Sequence, residues 1–309
     1  MSAIKKINEQ KFLKMVGETD SLTPECRKLI KEYNLEYQHL SRYEFEQAVA
    51  HVWKHAQARK KSVSGVERRQ EWENGWQENL QLYKGTNPKS LKPGYFRPEK
   101  YIRLDHTYVK PITDDFVFKF LKILQSHVFL KQIRGYQNIF ELGSGSGHNL
   151  SSLSDYLPNN NFIGLDWSTN AVDIANKIGF LKKRSIKGKM FNFFSPEEYN
   201  IEVPEDSIFI TTGAFEQIGT DHKKILNFII NKKPKKIVHF EPIHEFYDKN
   251  NLSDLISLDY HLKRGYLENY YQSLLELQDA GIIEIEKAQR VNCGGLFHDG
   301  WSILVWRPL

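Results

Sequence analysis

The stretch Asn138-Ile139-Phe140-Glu141-Leu142-Gly143-Ser144-Gly145-Ser146-Gly147-His148-Asn149-Leu150 decides how this chain is read. It passes from an apolar strand, through an acidic residue and alternating glycines, into a helix. Glycines let the backbone approach a ligand without Cβ clashes and adopt φ values that other residues avoid. The turn also delivers a ligand to a helix N-terminus at the carboxyl edge of a sheet. A dinucleotide fingerprint, G-x-G-x-x-G, needs its last glycine at position 148, where this chain has His148. The spacing here is G-x-G-x-G, preceded by Glu141.

Outward from this loop, strands and helices alternate. A helix from Asp115 to about Gln132 leads into the strand Asn138–Leu142, and a helix over Gly147–Leu157 leads into the strand Asn161–Asp166. A helix at Thr169–Ile178 follows, then a strand near Gly188–Phe193. Ser207–Thr212 and Lys236–Glu241 read as strands separated by an apolar helix around Lys223–Ile230. A helix carrying Leu267, Tyr270, Tyr271 and Leu274 precedes two final strands, Ile282–Arg290 and Trp301–Trp306. Such alternation predicts an α/β fold, a mostly parallel sheet wound with helices on both faces.

Upstream the pattern is helical. Thr23-Pro24 reads as an N-cap with proline at the first helical position. Ser41 and Glu44 form a capping box ahead of a Phe45, Ala48, Val49, Val52 face. Trp72, Trp76 and Leu80 make a second stripe. Residues 85–111 hold Pro88, Pro93, Pro98 and Pro111 and read as an irregular connector. That connector is rich in aromatic and cationic groups: Tyr95, Phe96, Arg97, Tyr101 and Arg103. The expected organisation is a helical N-terminal subdomain and connector over 1–111, covering the cleft of a second domain over 112–309.

Composition bounds the class. The chain has 309 residues, 40% hydrophobic and 26% charged, with a formal charge of +5. That is ordinary for a folded soluble domain. Its two cysteines, Cys26 and Cys293, make no disulfide framework, and the N-terminus has no secretory h-region, so a cytoplasmic location is expected. No apolar run is long enough to span a membrane.

The acid two residues before the first glycine, joined to the motifs that follow, resembles class I (Rossmann-like) S-adenosylmethionine-dependent methyltransferases over roughly residues 112–309. The resemblance implies a doubly wound, mostly parallel seven-stranded sheet with an antiparallel last strand, and S-adenosyl-L-methionine as cofactor. In that family the strand-end acid and loop glycines hold the methionine part of the cofactor. Those roles fall on Glu141, Gly143, Ser144 and Gly145, and on Gly147. Asp166 ends the next strand, where a carboxylate can accept both ribose hydroxyls, and Trp167 is placed to lie flat on the adenine. Asn192 and Phe193 match the family's third motif, although an asparagine stands where an acid is frequent. Arg97 and Arg103 are candidates for the cofactor carboxylate or an anionic acceptor.

The acceptor side is read from topology, since open α/β sheets bind ligands beyond the carboxyl ends of their strands. That collects Phe215, Glu216, His239, Glu241, His244, His298 and Asp299. His298 leads as general base, with Asp299 or Glu241 to orient it, and Glu216 and Glu241 are further catalytic or substrate contacts. No metal is expected: Pro242 interrupts His239, Glu241 and His244, and His51 with His55 reads as a solvated helix face. After the fourth strand, Thr212-Gly213-Ala214-Phe215 lacks the Pro-Pro motif of exocyclic-amine methyltransferases. The run Lys232-Lys233-Pro234-Lys235-Lys236 lies at the opposite end of the sheet, so a nucleic-acid partner is not expected. The expected reaction is O-methylation of a small molecule or saccharide. Its alternatives are N-methylation of a small-molecule or protein amine, or a non-catalytic binding subunit. The sequence carries no reading of the oligomeric state.

Overall fold

The computed structural model describes residues 3–58 and 65–309. Its strands are β1 (Ile4–Lys6), β2 (Glu36–His39), β3 (Ile102–Leu104), β4 (Thr107–Pro111), β5 (Asn138–Leu142) and β6 (Asn161–Asp166). They continue with β7 (Ile186–Met190), β8 (Ser207–Thr212), β9 (Lys236–Glu241), β10 (Ile283–Arg290), β11 (Cys293–Gly294) and β12 (Ser302–Pro308). Among the helices, α1 (Glu9–Met15), α2 (Pro24–Tyr33), α3 (Arg42–Ala58) and α4 (Arg69–Leu82) precede the main sheet. The rest are α5 (Phe116–Leu124), α6 (Leu130–Ile133), α7 (His148–Tyr156), α8 (Thr169–Lys182), α9 (Lys223–Lys232), α10 (Leu252–Arg264) and α11 (Tyr270–Asp279).

The main sheet is seven-stranded in the order β10-β12-β9-β8-β5-β6-β7. Strands β5 to β9 pair in parallel, and β12 runs antiparallel to both β9 and β10. The central strands read as continuous apolar runs because both faces are covered by helices. Ile139 and Ile208 sit in one core layer, Phe140 and Phe209 in the other. The order reverses at β5, so β5 and β8 flank the point where their outgoing loops part. That is where an open sheet leaves room for a ligand.

The N-terminal caps form as read. Thr23 Oγ1 accepts from Cys26 N at 3.3 Å, and Ser41 N donates to Glu44 at 2.9 Å. The first 111 residues are not a purely helical unit, however. β1, β2, β4 and β3 form an antiparallel sheet completed by β11, a strand lent from the C-terminal half. Part of the connector is therefore a β3–β4 hairpin, whose two turn residues, Asp105 and His106, take φ of 52° and 62°. Both central residues at positive φ is the backbone of a twist-compatible hairpin turn.

A buried ring of charges fastens this small sheet to the large one. Arg103 of β3 donates to Asp299 at 2.8 Å, to Asp254 of α10 at 2.5 Å and to Ser253 O at 2.7 Å. Arg290, ending β10, donates to the same two aspartates at 2.5 to 2.8 Å. Two arginines alternating with two aspartates leave no buried charge unmatched. Burial works against ionisation of Asp254, yet hydrogen bonds from Arg290 and the charges of Arg103 and Arg290 bring its pKa down to about 2.

Arg103, read in the sequence as a candidate cofactor contact, is buried here and has Nε, Nη1 and Nη2 each donating within the ring. Asp299, read as a partner for His298, accepts from Arg103 through Oδ1 and from Arg290 through Oδ2. No helix among the described residues is long and apolar enough to cross a membrane. Asp254→Asn keeps the shape but removes one charge, and should cost about 3–5 kcal/mol of stability by denaturant unfolding. A loss below about 0.5 kcal/mol, typical of a surface change, would contradict this role for the ring.

Candidate active site

The glycine loop leaves β5 with Gly143, Gly145 and Gly147 at φ of 75°, 49° and 69°. Gly145 serves a close approach as well as a left-handed turn. A Cβ built there would come within 2.7 Å of the Trp76 ring of α4. Asp166 holds the loop from the side, accepting from Gly145 N at 2.8 Å and from Ser168 N at 2.9 Å. Ser168 caps α8, its side chain accepting from Ala171 N. The strand-end carboxylate is therefore first an anchor of the loop, and each of its oxygens keeps a second lone pair for a ligand hydroxyl. Burial raises its pKa to about 6, against the backbone hydrogen bonds that lower it.

Glu141 is buried at the strand end. Asn149 Nδ2 donates to its Oε1 at 2.5 Å, while Oε2 has no partner. Burial pushes its pKa up to about 8, opposed by the Asn149 hydrogen bond and Lys122 and reinforced by Asp166. Ser144 Oγ and Ser146 Oγ are also buried without partners. A three-glycine turn with an unmatched carboxylate oxygen and two unmatched hydroxyls fits a polar, cationic ligand end, because such groups are rarely left unsatisfied.

Beside the loop, Trp167 packs against Phe194 with ring centroids 5.9 Å apart. Phe193 contacts Phe215, and its ring edge lies 3.5 Å from where a Gly143 Cβ would stand. Asn192 uses Oδ1 on Phe194 N at 3.0 Å, so that oxygen shapes the turn.

Across Gly213-Ala214, the residues read as acceptor-facing separate into two groups. Glu241 is fully buried and accepts from Ala214 N at 3.0 Å and Glu216 N at 3.2 Å. Read in the sequence as a catalytic candidate, it holds this turn in the structure. His239 is a core histidine, contacted at 2.9 to 3.0 Å by Thr211, Tyr270 and Trp306. Glu216 and His298, by contrast, are only partly covered. Burial and the neighbouring Glu241 raise Glu216 to about 8, with Gln217, Arg68 and Arg264 pulling the other way. His298 has Nδ1 without a partner and rings of Tyr260 and Tyr266 at 5.7 and 5.6 Å. Burial lowers its pKa to about 4, Asp299 opposing and Arg103 and Arg264 assisting.

Two residues near the site carry no individual role in the sequence reading. Tyr95, from the connector, is half exposed, sets its ring edge-on to Trp72 and Trp76 of α4, and has its phenol pKa raised in part by the charges of Glu216, Glu241 and Glu141. Tyr266 carries a similar raise from burial and Glu216. The aromatic density of residues 95–101 was the available signal for Tyr95. The His51 and His55 rings lie 4.3 Å apart on α3, tilted by 58°, and no group of His, Cys, Asp or Glu among the described residues is arranged to hold a metal. In the lysine run before β9, Lys235 pairs with Glu205 and Lys236 with Glu286.

A parallel sheet closed by an antiparallel last strand, with an acid and glycine loop at the reversal point, settles the architecture. The fold is that of class I methyltransferases. No family model and no curated protein matches the chain. Among solved structures, it is similar to an N,N-8-amino-8-demethyl-D-riboflavin dimethyltransferase from Streptomyces davawensis. That match has 13% identity and a TM-score of 0.43 over 63% of this chain and 58% of that one. A mitomycin 7-O-methyltransferase matches at 16% identity and a TM-score of 0.42, over 63% and 57% of the two chains. Human N-acetylserotonin methyltransferase in complex with SAM matches at 16% and 0.40, over 62% and 56%. The chain thus spans less than two thirds of each of these proteins.

The site also sets a pH dependence of stability. Glu141, Glu216 and Glu241, raised to about 8, 8 and 7, bind protons in the folded protein that the unfolded chain has released above its ordinary carboxyl pKa. Their contribution is present at low pH and lost as pH rises through 7 to 8. Lys122, lowered to about 7 by burial, works in the opposite sense but is one group against three. Denaturant unfolding should show lower stability at about pH 8.5 than at about pH 6.5. Equal or greater stability at the higher pH would contradict the assignment.

Proposed function

We propose that the chain is an S-adenosyl-L-methionine-dependent methyltransferase. The observation that carries this reading is the unpartnered Glu141 Oε2 beside a three-glycine cradle, with Asp166 at the end of the adjacent strand. Glu141 would take the cofactor's amino group, Asp166 its ribose hydroxyls, and Trp167 with Phe193 would flank the adenine. The α4 ring Trp76, standing over Gly145, forms the outer wall of the cradle. In this reading the N-terminal residues 1–111 cover the cleft of the 112–309 domain.

When bound, the cofactor supplies a methyl group on a sulfonium. Methyl transfer of this kind would be an in-line displacement, so the part of these residues would be to hold donor and acceptor in register, and positioning would supply much of the rate. The acceptor proton needs a base with a pKa near the working pH. Glu216, near 8, suits that better than His298, near 4. His298 then serves as a neutral hydrogen-bond acceptor that orients the substrate. A hydroxyl on a small molecule or saccharide fits these neutral donors and acceptors. An amine acceptor is the second reading, favoured by a carboxyl, Glu216, whose charge acts on the phenols of Tyr95 and Tyr266.

Calorimetry with S-adenosylmethionine and S-adenosylhomocysteine should detect binding to the parent and none to Gly145→Arg, whose side chain would invade the cradle. Absence of binding at millimolar ligand, or equal binding by the variant, would sink the cofactor assignment. With methyl-labelled donor and candidate acceptors, Glu216→Gln should reduce turnover by about 10²-fold or more. Turnover at the parent rate would remove Glu216 from the mechanism.

A further inference from the structure

A polar chain runs buried beneath the glycine loop, and its hydrogen bonds all point one way. Lys122 of α5 donates to Gln125 Oε1 at 3.4 Å. Gln125 Nε2 donates to Asn149 Oδ1. Asn149 Nδ2 donates to Glu141 Oε1 at 2.5 Å and to Thr212 Oγ1 at 3.2 Å. The chain thus begins at the Lys122 side-chain nitrogen and ends at the Glu141 carboxyl. Gln125, Asn149 and Glu141 are 3%, 3% and 1% exposed, so water does not compete for these bonds.

The polarity leaves Asn149 one orientation. An amide has two N–H hydrogens and one carbonyl oxygen. Here the hydrogens go to Glu141 and Thr212 and the oxygen takes Gln125. Flipping the amide would set its oxygen against the Glu141 carboxylate. Gln125 opens a π turn, Gln125–Phe129, between α5 and α6. Such turns insert a residue into the helical ladder and recur at functional sites. Lys122 is fastened in its turn by Ser152 Oγ at 2.9 Å, His148 O at 3.2 Å and His148 Nδ1 at 2.9 Å. Burial and Lys122 keep the His148 imidazole neutral, so Nδ1 acts as an acceptor.

Resting on the cofactor reading above, we infer that Asn149, fixed from behind by Gln125, is the positioning residue that holds Glu141 with its second oxygen turned to the ligand's amino group. The interaction is selective for the charged carboxylate, because a donor at 2.5 Å favours that form. The other groups facing Glu141 are Lys122 from α5, Asp166 from β6 and the Tyr95 phenol from the connector. Lys122 favours the charge and Asp166 opposes it. Without Asn149, Glu141 holds its proton to higher pH, and a cationic amino group finds a neutral carboxyl instead of an anion.

The test is calorimetric titration with S-adenosylhomocysteine from about pH 6.5 to about pH 9, using the parent, Asn149→Ala and Gln125→Ala. Asn149→Ala should bind about tenfold more weakly near neutrality, with the deficit shrinking as pH rises and Glu141 ionises. Gln125→Ala should move the profile in the same direction by less. A variant profile that overlays the parent's, or that is lowered equally at every pH, overturns the inference while the cofactor reading stands. If the parent itself does not bind, the cofactor reading falls and the inference with it. Should circular dichroism show Asn149→Ala unfolded, Asn149→Ser and Gln125→Ala are held to the same criterion.

Discussion

Gly145 N–H donating to the buried Asp166 carboxylate is the constraint on which the site depends. It ties the turn after β5 to the end of β6, two strands that are already neighbours in the sheet. The loop cannot then swing away, and its three left-handed glycines are held where a ligand would need them. A non-glycine residue at 145 would suffer twice, from its φ and from the Trp76 ring. The same turn delivers Asn149 beneath Glu141, so one loop sets both the outer shape of the cradle and the inner support of its carboxylate.

The opposite wall is built by different means. Glu241 spends its carboxylate on the backbone of residues 214–216, which fixes the turn bearing Glu216. The ring of Arg103, Asp254, Arg290 and Asp299 sets the loop before β12, and hence the place of His298, by charge matching in a dry interior. Glu241 and Asp299 both have each carboxylate oxygen engaged by a donor from the protein. For Asp299 the reason is burial: a charge removed from water needs compensation, and Arg103 and Arg290 supply it. Glu216 and His298 remain partly covered because their environment is incomplete on one side.

Much of this was legible in the sequence. Strands β5, β6, β8 and β9 begin and end where the apolar runs do, since a buried parallel strand has few other ways to be written. The acid, the glycines and Asp166 were readable because backbone geometry demands particular residue types. Less was legible where short elements depend on partners far away in the chain. β3 and β11 are three and two residues long, and β11 comes from the other end of the chain to pair with β3. Ile102-Arg103-Leu104 is buried on both faces and shows no alternation. Helix α10 was missed although Asn251 caps its start and Gly265 its end. Side-chain commitments were the least legible. Arg103, Asp299 and Glu241 carry no sign in sequence of the bonds they make, which only three-dimensional neighbours reveal.

Hydrogen exchange with and without S-adenosylhomocysteine tests the central claim most directly, since it reports where a ligand lies without needing an acceptor. The account predicts slowed exchange for amides of residues 143–149 and 166–168, and for α4, whose Trp76 walls the cradle. Unchanged exchange in the glycine loop and at Asp166, with protection elsewhere or nowhere, would contradict it.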